Sequence, residues 1–510
     1  MGLFEHFPYT NFHGLNLDWL LAKYQELDGD VKALKEYVST FVDDQLVPIV
    51  EAKLDEMVEN GELDEILRRM EVIDYVTPQM YGAVGDGLTD DTEAFQAAVD
   101  SGKAVCLLMT SMYKLTDTIH LRGRHLETAS RERQNRIIFS KAPMEYNSPS
   151  PQIVVEFTDN THPIFSIEAS AYKFYNVNIE CKNGPGDSAA IDLTCFRTNM
   201  IGDPNVDFCI LNCRFNRAYY LIDLTGRGIK MDGCYAYRCY HLIDIKWEGD
   251  PESGTYHSDY AGQRGIVFEN NRFHSFPGGP FIHLDTDAHG FGARFVNNNF
   301  DRGRGNLAIF DGKPINWIMT GNTFNGLTGS GGTGKDGLLE FRAGAEGFTF
   351  SNNNVWQLPQ ASEGSFTNMI YFAPADDTVV GLNVIGNMVN ELDDGCLIKT
   401  LNEAGVTPSV ALYSCNISNN TVSIINTTDT VAQAILRASV AALQNCVIAN
   451  NIIGDKTGTA ALYAVYCAGN HTLDYCKIIG NVVPGSTTTF GGTGTDTLTG
   501  CLIDDDLITP

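Results

Sequence analysis

The sequence predicts an all-β protein: a right-handed, single-stranded parallel β-helix preceded by a short α-helical N-terminal region. The first observation behind this is a short motif, clearest at 268–273 as Phe-Glu-Asn-Asn-Arg-Phe. Its second asparagine recurs at Asn271, Asn298, Asn322, Asn353, Asn387, Asn420, Asn451 and Asn481, in steps of 27, 24, 31, 34, 33, 31 and 30 residues. The second observation is that the intervening runs alternate with period two and show no helical period. A repeat of this length is typical of a solenoid.

The motif has a physical reason to recur in such a fold. One coil cannot bury its own apolar face, so neighbouring coils have to stack. Asn or Gly after a strand adopts the left-handed or turn conformation that a tight corner requires. Asparagine side chains that stack in register can hydrogen-bond along the axis. We therefore expect the eight asparagines to form one column at a single corner.

Residues 1–72 are predicted to be a helical region for attachment and oligomerisation. Apolar residues fall at three- and four-residue steps from Val31 to Phe41 and from Leu46 to Val58. Pro48 interrupts the pattern, and Asn60-Gly61 marks a stop or turn. A pair of helices that form an oligomeric coiled coil fits this pattern. A helical hairpin that packs on its own chain is the alternative.

Three further regions complete the predicted organisation. Residues 73–152 are the N-terminal cap and first coils, with a glycine-rich turn, a short helix capped by Asp91 or Thr92, and a buried strand at 105–109. Residues 153–484 are the parallel β-helix. Residues 485–510, rich in Gly and Thr, are a C-terminal cap or tail.

Two stretches resemble known proteins. The run Tyr81-Gly82-Ala83, Gly85-Asp86-Gly87 and the helix that follows it resemble the opening of the pectate-lyase-like β-helix superfamily, which includes phage tailspikes and preneck appendages. In that family the run is a folding signature, so Asp86, Asp90 and Asp91 are expected to be turn and cap residues. Residues 7–21 resemble a virion-attachment segment of phages that infect Gram-positive hosts.

Composition limits the partners. The net charge of −28 argues against nucleic acid or an anionic membrane as a partner. No run of eighteen apolar residues is present, and residues 1–20 lack the basic and apolar regions of a signal peptide. Cys415, Cys446 and Cys476 share one phase of the repeat, which predicts a buried column of free thiols. One thiol per coil gives a line, so no metal site is predicted, and no cofactor is expected.

The strands that follow the asparagine corner align with one another and place polar residues on one outward face. Adjacent coils lie ~4.8 Å apart, so carboxylates on neighbouring coils reach the separations that glycosidases use. Like charges this close would raise one pKa and supply the acid. The predicted catalytic residues are Asp285, Asp311 and Glu340. The predicted substrate-binding residues are Asp244, Lys246, Trp247, His283, Asp287 and Arg342.

The resemblance and this strip together predict a virion component, a tailspike or appendage, that binds and degrades a host cell-surface polysaccharide during adsorption. It would be a homotrimer, assembled in the host cytoplasm and attached to other virion proteins through residues 1–70. Glycoside hydrolysis is favoured over a lyase reaction, because the carboxylates do not match the calcium-dependent lyase pattern. A non-enzymatic receptor-binding adhesin, a purely structural fibre and a free pectinolytic enzyme are the alternatives.

Overall fold

The contacts of the chain divide it into two units, Met1–Asp74 and Tyr75–Pro510. The computed structural model describes Pro48, Gly184 and residues 75–122, 137–140, 152–168, 172–182, 192–198, 205–225, 227–246, 265–276, 280–286, 290–327, 337–356, 368–373, 378–393, 395–400, 410–425, 433–439, 442–455, 462–468, 471–483, 490–492, 496–504 and 506–508. The predicted helical pair and the virion-attachment segment lie outside the described residues, apart from Pro48. The four predicted domain limits therefore stay predictions.

Almost every element of the second unit is a short strand. The first are β1 Tyr75–Val76, β2 Asp86–Asp90, β3 Ala104–Leu107, β4 Met112–Leu115, β5 Ile119–Leu121, β6 Ile137–Ser140, β7 Ile153–Val155, β8 Phe165–Ile167, β9 Lys173–Tyr175, β10 Asn178–Cys181, β11 Thr194–Thr198, β12 Asn205–Leu211, β13 Arg214–Asn216, β14 Tyr220–Thr225, β15 Arg227–Asp232, β16 Tyr235–Tyr237 and β17 His241–Lys246.

The middle strands include most of the asparagine motifs. They are β18 Ile266–Glu269, β19 Arg272–His274, β20 Ile282–Leu284, β21 Gly290–Phe291, β22 Arg294–Val296, β23 Asn299–Asp301, β24 Ala308–Phe310, β25 Pro314–Ile315, β26 Ile318–Thr320, β27 Thr323–Asn325, β28 Gly337–Phe341, β29 Ala345–Glu346, β30 Thr349–Ser351, β31 Asn354–Trp356, β32 Asn368–Phe372, β33 Thr378–Val380, β34 Asn383–Ile385 and β35 Met388–Asp393.

The last strands complete the stack. They are β36 Cys396–Thr400, β37 Ala411–Tyr413, β38 Asn416–Ser418, β39 Thr421–Ile425, β40 Gln433–Ser439, β41 Ala442–Gln444, β42 Val447–Ala449, β43 Ile452–Asp455, β44 Leu462–Ala468, β45 His471–Asp474, β46 Lys477–Ile479, β47 Phe490–Gly492, β48 Asp496–Thr499, β49 Cys501–Ile503 and β50 Asp506–Ile508.

Among the described residues these strands form four sheets, of 16, 13, 13 and 8 strands, which we call sheets A, B, C and D. Sheet A runs from β1 through β3, β6 and β9 to β50, sheet B from β2 to β43, sheet C from β5 to β47, and sheet D from β21 to β48. The chain passes through sheets A, B and C in turn, and from β21 onward also through sheet D, before it returns to sheet A. Neighbouring strands pair in parallel, except β49 with β50. This is the architecture of a parallel β-helix.

The prediction of a mostly β protein built from long parallel sheets is confirmed. The right-handed sense of the coil stays a prediction, in line with the strong preference of parallel crossovers.

A short helix and a turn cluster lie beside the first coils. The 3₁₀ helix spans Pro78–Tyr81, and helix α1 spans Thr92–Asp100 with Asp91 as its N-cap residue. The buried Asp91 carboxylate accepts hydrogen bonds from the backbone N–H groups of Val84 and Gly85, at 2.7 and 3.1 Å. Asp86 accepts from the N–H groups of Leu88 and Thr89. These carboxylates therefore hold the turn.

At the corner between sheets A and B, the two residues of each motif have different structural roles. The first residue takes positive φ, as in Asn270 at 56° and Gly321 at 67°. The second residue points inward and forms a ladder. For example, the side-chain amide of Asn322 donates to Asn353 Oδ1 on the next coil, at 3.0 Å, and to the backbone oxygen of Phe295, at 2.9 Å.

The same bonds link all eight asparagines, with backbone or side-chain nitrogen to Oδ1 distances of 2.9 to 3.0 Å. The predicted column is confirmed. In earlier coils Cys213 and Cys234 take its place, and the N–H of Cys234 donates to Asn271 Oδ1.

The core consists of apolar side chains stacked coil upon coil. Phe268 lies parallel to Phe295, with ring centroids 4.9 Å apart, and Phe310 stacks on Phe341 at 4.6 Å. The thiol column at the D–A corner is also confirmed. Cys415, Cys446 and Cys476 are free and buried, and Cys501 extends the column by one coil. The hydrogen bond with Cys415, together with burial, raises the pKa of Cys446 to about 12, so the thiol stays protonated.

Candidate active site on sheet C

The outward face of sheet C carries the predicted site residues, in the register that the alignment of post-asparagine strands predicts. Asp223 pairs with Asp244, Asp244 pairs with His283, and Ile309 pairs with Glu340. Asp311 follows β24 directly, and its N–H donates to the backbone oxygen of Leu284. The inward neighbours Leu284, Phe310 and Phe341 are fully buried. Because strand side chains alternate, a buried inward set fixes the outward set.

These outward side chains are joined into one chain of ion pairs, which we call the strip. Along it, acid and base alternate in the order Arg197, Asp223, Lys246, Asp244, His283, Asp311, Arg342 and Glu340. The contacting atoms lie 2.9, 3.1, 3.0, 2.7, 3.0, 3.1 and 2.7 Å apart. From β11 to β28 the strip crosses five coil steps, about 24 Å at ~4.8 Å per step.

His283 lies at the centre of the strip between two carboxylates. Its Nδ1 is 2.7 Å from Asp244 Oδ1, and its Nε2 is 3.0 Å from Asp311 Oδ2. Ionised carboxylates only accept hydrogen bonds, so both ring nitrogens are best satisfied as donors, which requires the imidazolium. The hydrogen bond to Asp244 raises the pKa of His283 above its usual value, against the effect of burial.

The pKa of Asp244 shifts in the opposite direction to that of His283. Burial alone would raise its pKa, but the hydrogen bond with His283 and the charge of Lys246 outweigh burial and hold the pKa below the usual value. The side chain of Asp244 is buried and makes two strong contacts. Its place in the strip is therefore to position His283 and Lys246.

Arg342 links the last two carboxylates. Its Nη1 is 3.1 Å from Asp311 Oδ1, and its Nε is 2.7 Å from Glu340 Oε1. Asn306, which sequence reasoning missed, donates to Glu340 Oε2 at 3.2 Å. The expectation that adjacent like charges raise a carboxyl pKa assumed that nothing lies between them. Here a cation bridges each neighbouring pair of acids, and both ring nitrogens of His283 face carboxylate oxygens.

The remaining predicted residues divide into two groups. Asp285 follows β20 in register with Lys246, but its carboxylate accepts from the N–H and hydroxyl of Thr286, at 2.7 and 3.2 Å. The part of the chain that the structure describes shows no bond from Asp285 to the strip. Trp247 and Asp287 lie outside the described residues.

A cleft of about 360 Å³ lies at the first end of the strip, lined in part by His120, Ser166, Glu168 and Arg197. Glu168 accepts from His120 Nδ1, from Ser166 at 3.0 Å and from Arg122 at 3.1 Å. Arg197 belongs to both features, because its Nε also bonds Asp223. Sequence reasoning missed this end, since the asparagine motif that anchors the strand alignment is absent from these first coils.

Within the described ranges, no group of three or more His, Cys, Asp or Glu side chains is arranged to hold a metal ion. No helix in those ranges has the length and apolar character needed to span a bilayer.

The structure thus defines a parallel β-helix with a row of ion-paired side chains along one outer sheet. No family model matches the chain. Over 41 residues, 8% of this chain, it is 49% identical to a capsule K30/K69-specific depolymerase of Klebsiella phage K64-1. The matched segment is 5% of the length of that curated relative.

Two solved structures illustrate the similarity in fold. The tailspike protein of Acinetobacter baumannii phage AM24 aligns with a TM-score of 0.35 and 12% identity, covering 82% of this chain and 54% of that one. DFA-IIIase from Arthrobacter chlorophenolicus A6 aligns with a TM-score of 0.42 and 11% identity, covering 79% of this chain and 94% of that one. A capsule depolymerase of a phage and a phage tailspike protein are thus among the proteins to which this chain is similar.

Proposed function

We propose that the chain is a phage virion component that binds a host cell-surface polysaccharide along the strip and hydrolyses it. The observation that carries this proposal is the continuous row of alternating acids and bases over about 24 Å of sheet C. A polysaccharide laid along the axis would meet a hydrogen-bonding group at every coil, whereas a small molecule would meet one or two. The segment shared with a capsule depolymerase supports the same class of substrate.

In the proposed reaction, hydroxyl groups of the sugar displace Arg342 from Asp311 and Glu340. His283 passes its proton to Asp311, which donates it to the glycosidic oxygen as the bond to the anomeric carbon breaks. Glu340 takes a proton from the water whose oxygen attacks that carbon. This division of labour is that of a glycosidase with two carboxyl groups. Asp244, Lys246 and Arg342 hold the sugar and the imidazolium.

Asp285 stays a candidate for the second carboxylate, because it precedes Asp311 in register on the neighbouring coil. Trp247 and Asp287 stay candidates for substrate binding. Attachment through residues 1–70, assembly in the host cytoplasm and a homotrimer belong to the same proposal and rest on the sequence alone.

A non-enzymatic adhesin is the second candidate, and one observation favours it. Every carboxylate of the strip is already paired with a cation. Such a row suits binding, because it presents charge without a free acid. The two functions differ in whether the polysaccharide becomes shorter.

The test is to incubate the purified protein with capsular and cell-wall polysaccharides of candidate hosts and to follow their size by size-exclusion chromatography. Hydrolysis yields shorter chains with new reducing ends and without the ultraviolet absorbance of an unsaturated sugar. Replacing Asp311 by Asn is expected to lower the rate about 100-fold or more, because it removes a positioned acid.

The matched control is Asp232→Asn, which removes an ion-paired carboxylate from the outward face of sheet A, 3.2 Å from Lys230. It should cleave like the wild type. Binding without shortening in the wild type would favour the adhesin. Equal cleavage by wild type and Asp311→Asn would place the reaction elsewhere.

A further inference from the structure

Sheet B carries a second axial row of outward side chains, of different chemistry from the strip. It runs through six successive strands, β16, β19, β23, β27, β31 and β35. We call it the aromatic–amide row, and it consists of Tyr237, His274, Asp301, Asn325, Trp356 and Asn390. At ~4.8 Å per coil its five steps span about 24 Å.

The first half of the row is held in place by its own contacts. The rings of Tyr237 and His274 lie 5.4 Å apart, and the Arg238 guanidinium lies 5.1 Å from the centroid of Tyr237. Asp301 is 3.4 Å from His274 Nε2 and accepts from Asn325 Nδ2 at 3.4 Å. Side chains that are ordered before binding lose less conformational entropy when a ligand arrives.

Trp356 is the most informative member of the row. Its side chain is 50% exposed, whereas Trp317 is fully buried in the core. An exposed tryptophan loses the hydrophobic stabilisation that burial would provide, and tryptophan is enriched at binding interfaces. Across the sheet it lies between Asn325 on β27 and Asn390 on β35, whose planar amides offer both donors and acceptors.

A pyranose has the matching chemistry. Its axial C–H groups form an apolar face that can lie on an indole, and its equatorial hydroxyls point sideways toward amides. The single carboxylate of the row, Asp301, already has His274 within 3.4 Å and Arg272 within 3.8 Å. The row therefore offers aromatic faces and amide hydrogen-bonding groups, which suit uncharged sugars.

We infer that the aromatic–amide row is a second glycan-binding surface, one that takes a neutral pyranose chain and does not cleave it. This rests on the proposed function only for the class of ligand. The two surfaces lie on different sheets, so each can be removed without the other. The row would hold the polymer close while the strip acts on it, and the two sites together would bind more tightly than either alone.

The experiment is affinity electrophoresis of the full chain in native gels that contain dextran, yeast mannan or guar galactomannan. The wild type is expected to be retarded by at least one of the three. Replacing Trp356 by Ala should weaken that binding about 3- to 10-fold, the size expected for loss of one aromatic stacking partner. The readout is retardation of the protein and not shortening of the polymer, which separates this inference from cleavage.

The matched control is Ile452→Ala, an apolar side chain 45% exposed on the same sheet but off the row. It should be retarded like the wild type. No retardation of the wild type in any of the three gels would overturn the inference, as would equal retardation of wild type and Trp356→Ala. A change of oligomeric state in Trp356→Ala, measured by light scattering, would identify the row as a contact between copies and would also overturn it.

Discussion

Two columns of polar side chains run along this β-helix, and they differ in every respect except their spacing. The asparagine ladder repeats one residue type, is buried from Asn271 to Asn451, and bonds each of these amides to the next coil. The strip on sheet C mixes Arg, Asp, Lys, His and Glu side chains and is partly exposed. A column of one residue type stabilises the fold, because every coil needs the same hydrogen bonds at that corner. A column of varied residues has no structural requirement that repeats from coil to coil, so its residues can be suited to a ligand.

The largest expected effect on stability comes from breaking the ladder. Asn353 accepts from the backbone and side-chain nitrogens of Asn322 and donates to Met319 and Asn387. Replacing Asn353 by Leu leaves several buried groups without partners, at about 1–3 kcal/mol for each. The free energy of unfolding, measured by chemical denaturation, should fall by about 3 kcal/mol or more.

The neighbouring Asn352 provides the control for this prediction. It has a φ of 53° and an exposed side chain, so Asn352→Gly keeps the backbone conformation and removes no ladder bond. The free energy of unfolding of Asn352→Gly should differ from that of the wild type by less than about 0.5 kcal/mol. If Asn352→Gly and Asn353→Leu were equally stable, the ladder would not be what stabilises the corner.

A smaller and pH-dependent effect is expected from the strip. The pKa of His283 is raised in the folded protein, so its charge stabilises the fold below its unfolded pKa of about 6.5, and this is lost as pH rises through the raised value. The difference in Tm between wild type and His283→Gln should therefore shrink from about pH 5.5 to about pH 8.5. Asp244, with its lowered pKa, stays charged throughout this window.

His274 on sheet B provides a comparison, because its pKa shifts in the opposite direction to that of His283. Burial lowers its pKa, so the folded state favours the neutral ring and gains stability as pH rises. The Tm difference between wild type and His274→Gln should grow over the same range. Parallel slopes for the two variants would show that the ion pairs around His283 do not control its protonation.

The contrast between the two columns also explains what sequence could predict. The ladder was predictable, because Asn271 and its successors share one phase and only one corner geometry satisfies them. The outward positions of Asp244, His283 and Glu340 followed from strand alternation. The sequence did not predict that Lys246, His283 and Arg342 would each bridge two of these acids. Whether Arg342 turns toward Asp311 or toward solvent depends on side-chain conformation, which produces no periodic pattern in the sequence.

Other residues have no motif that points to a role in the site. Arg197, the first member of the strip, lies in a coil whose corner lacks the asparagine motif, and Asn306 donates to Glu340 from a position before β24. Trp356 could be aligned with its repeat, but its exposure depends on how sheet B faces solvent. Sequence patterns thus located the strands well, and the chemistry between strands much less well.

The measurement that tests the central claim most directly is a crystal structure of Asp311→Asn with an oligosaccharide of the polysaccharide that the wild type shortens. The account predicts a sugar chain along sheet C, with hydroxyl groups within hydrogen-bond distance of His283, Arg342 and Glu340 and with the guanidinium moved away from residue 311. A sugar chain bound with these ion pairs intact, or bound on another face with sheet C empty, would contradict the account.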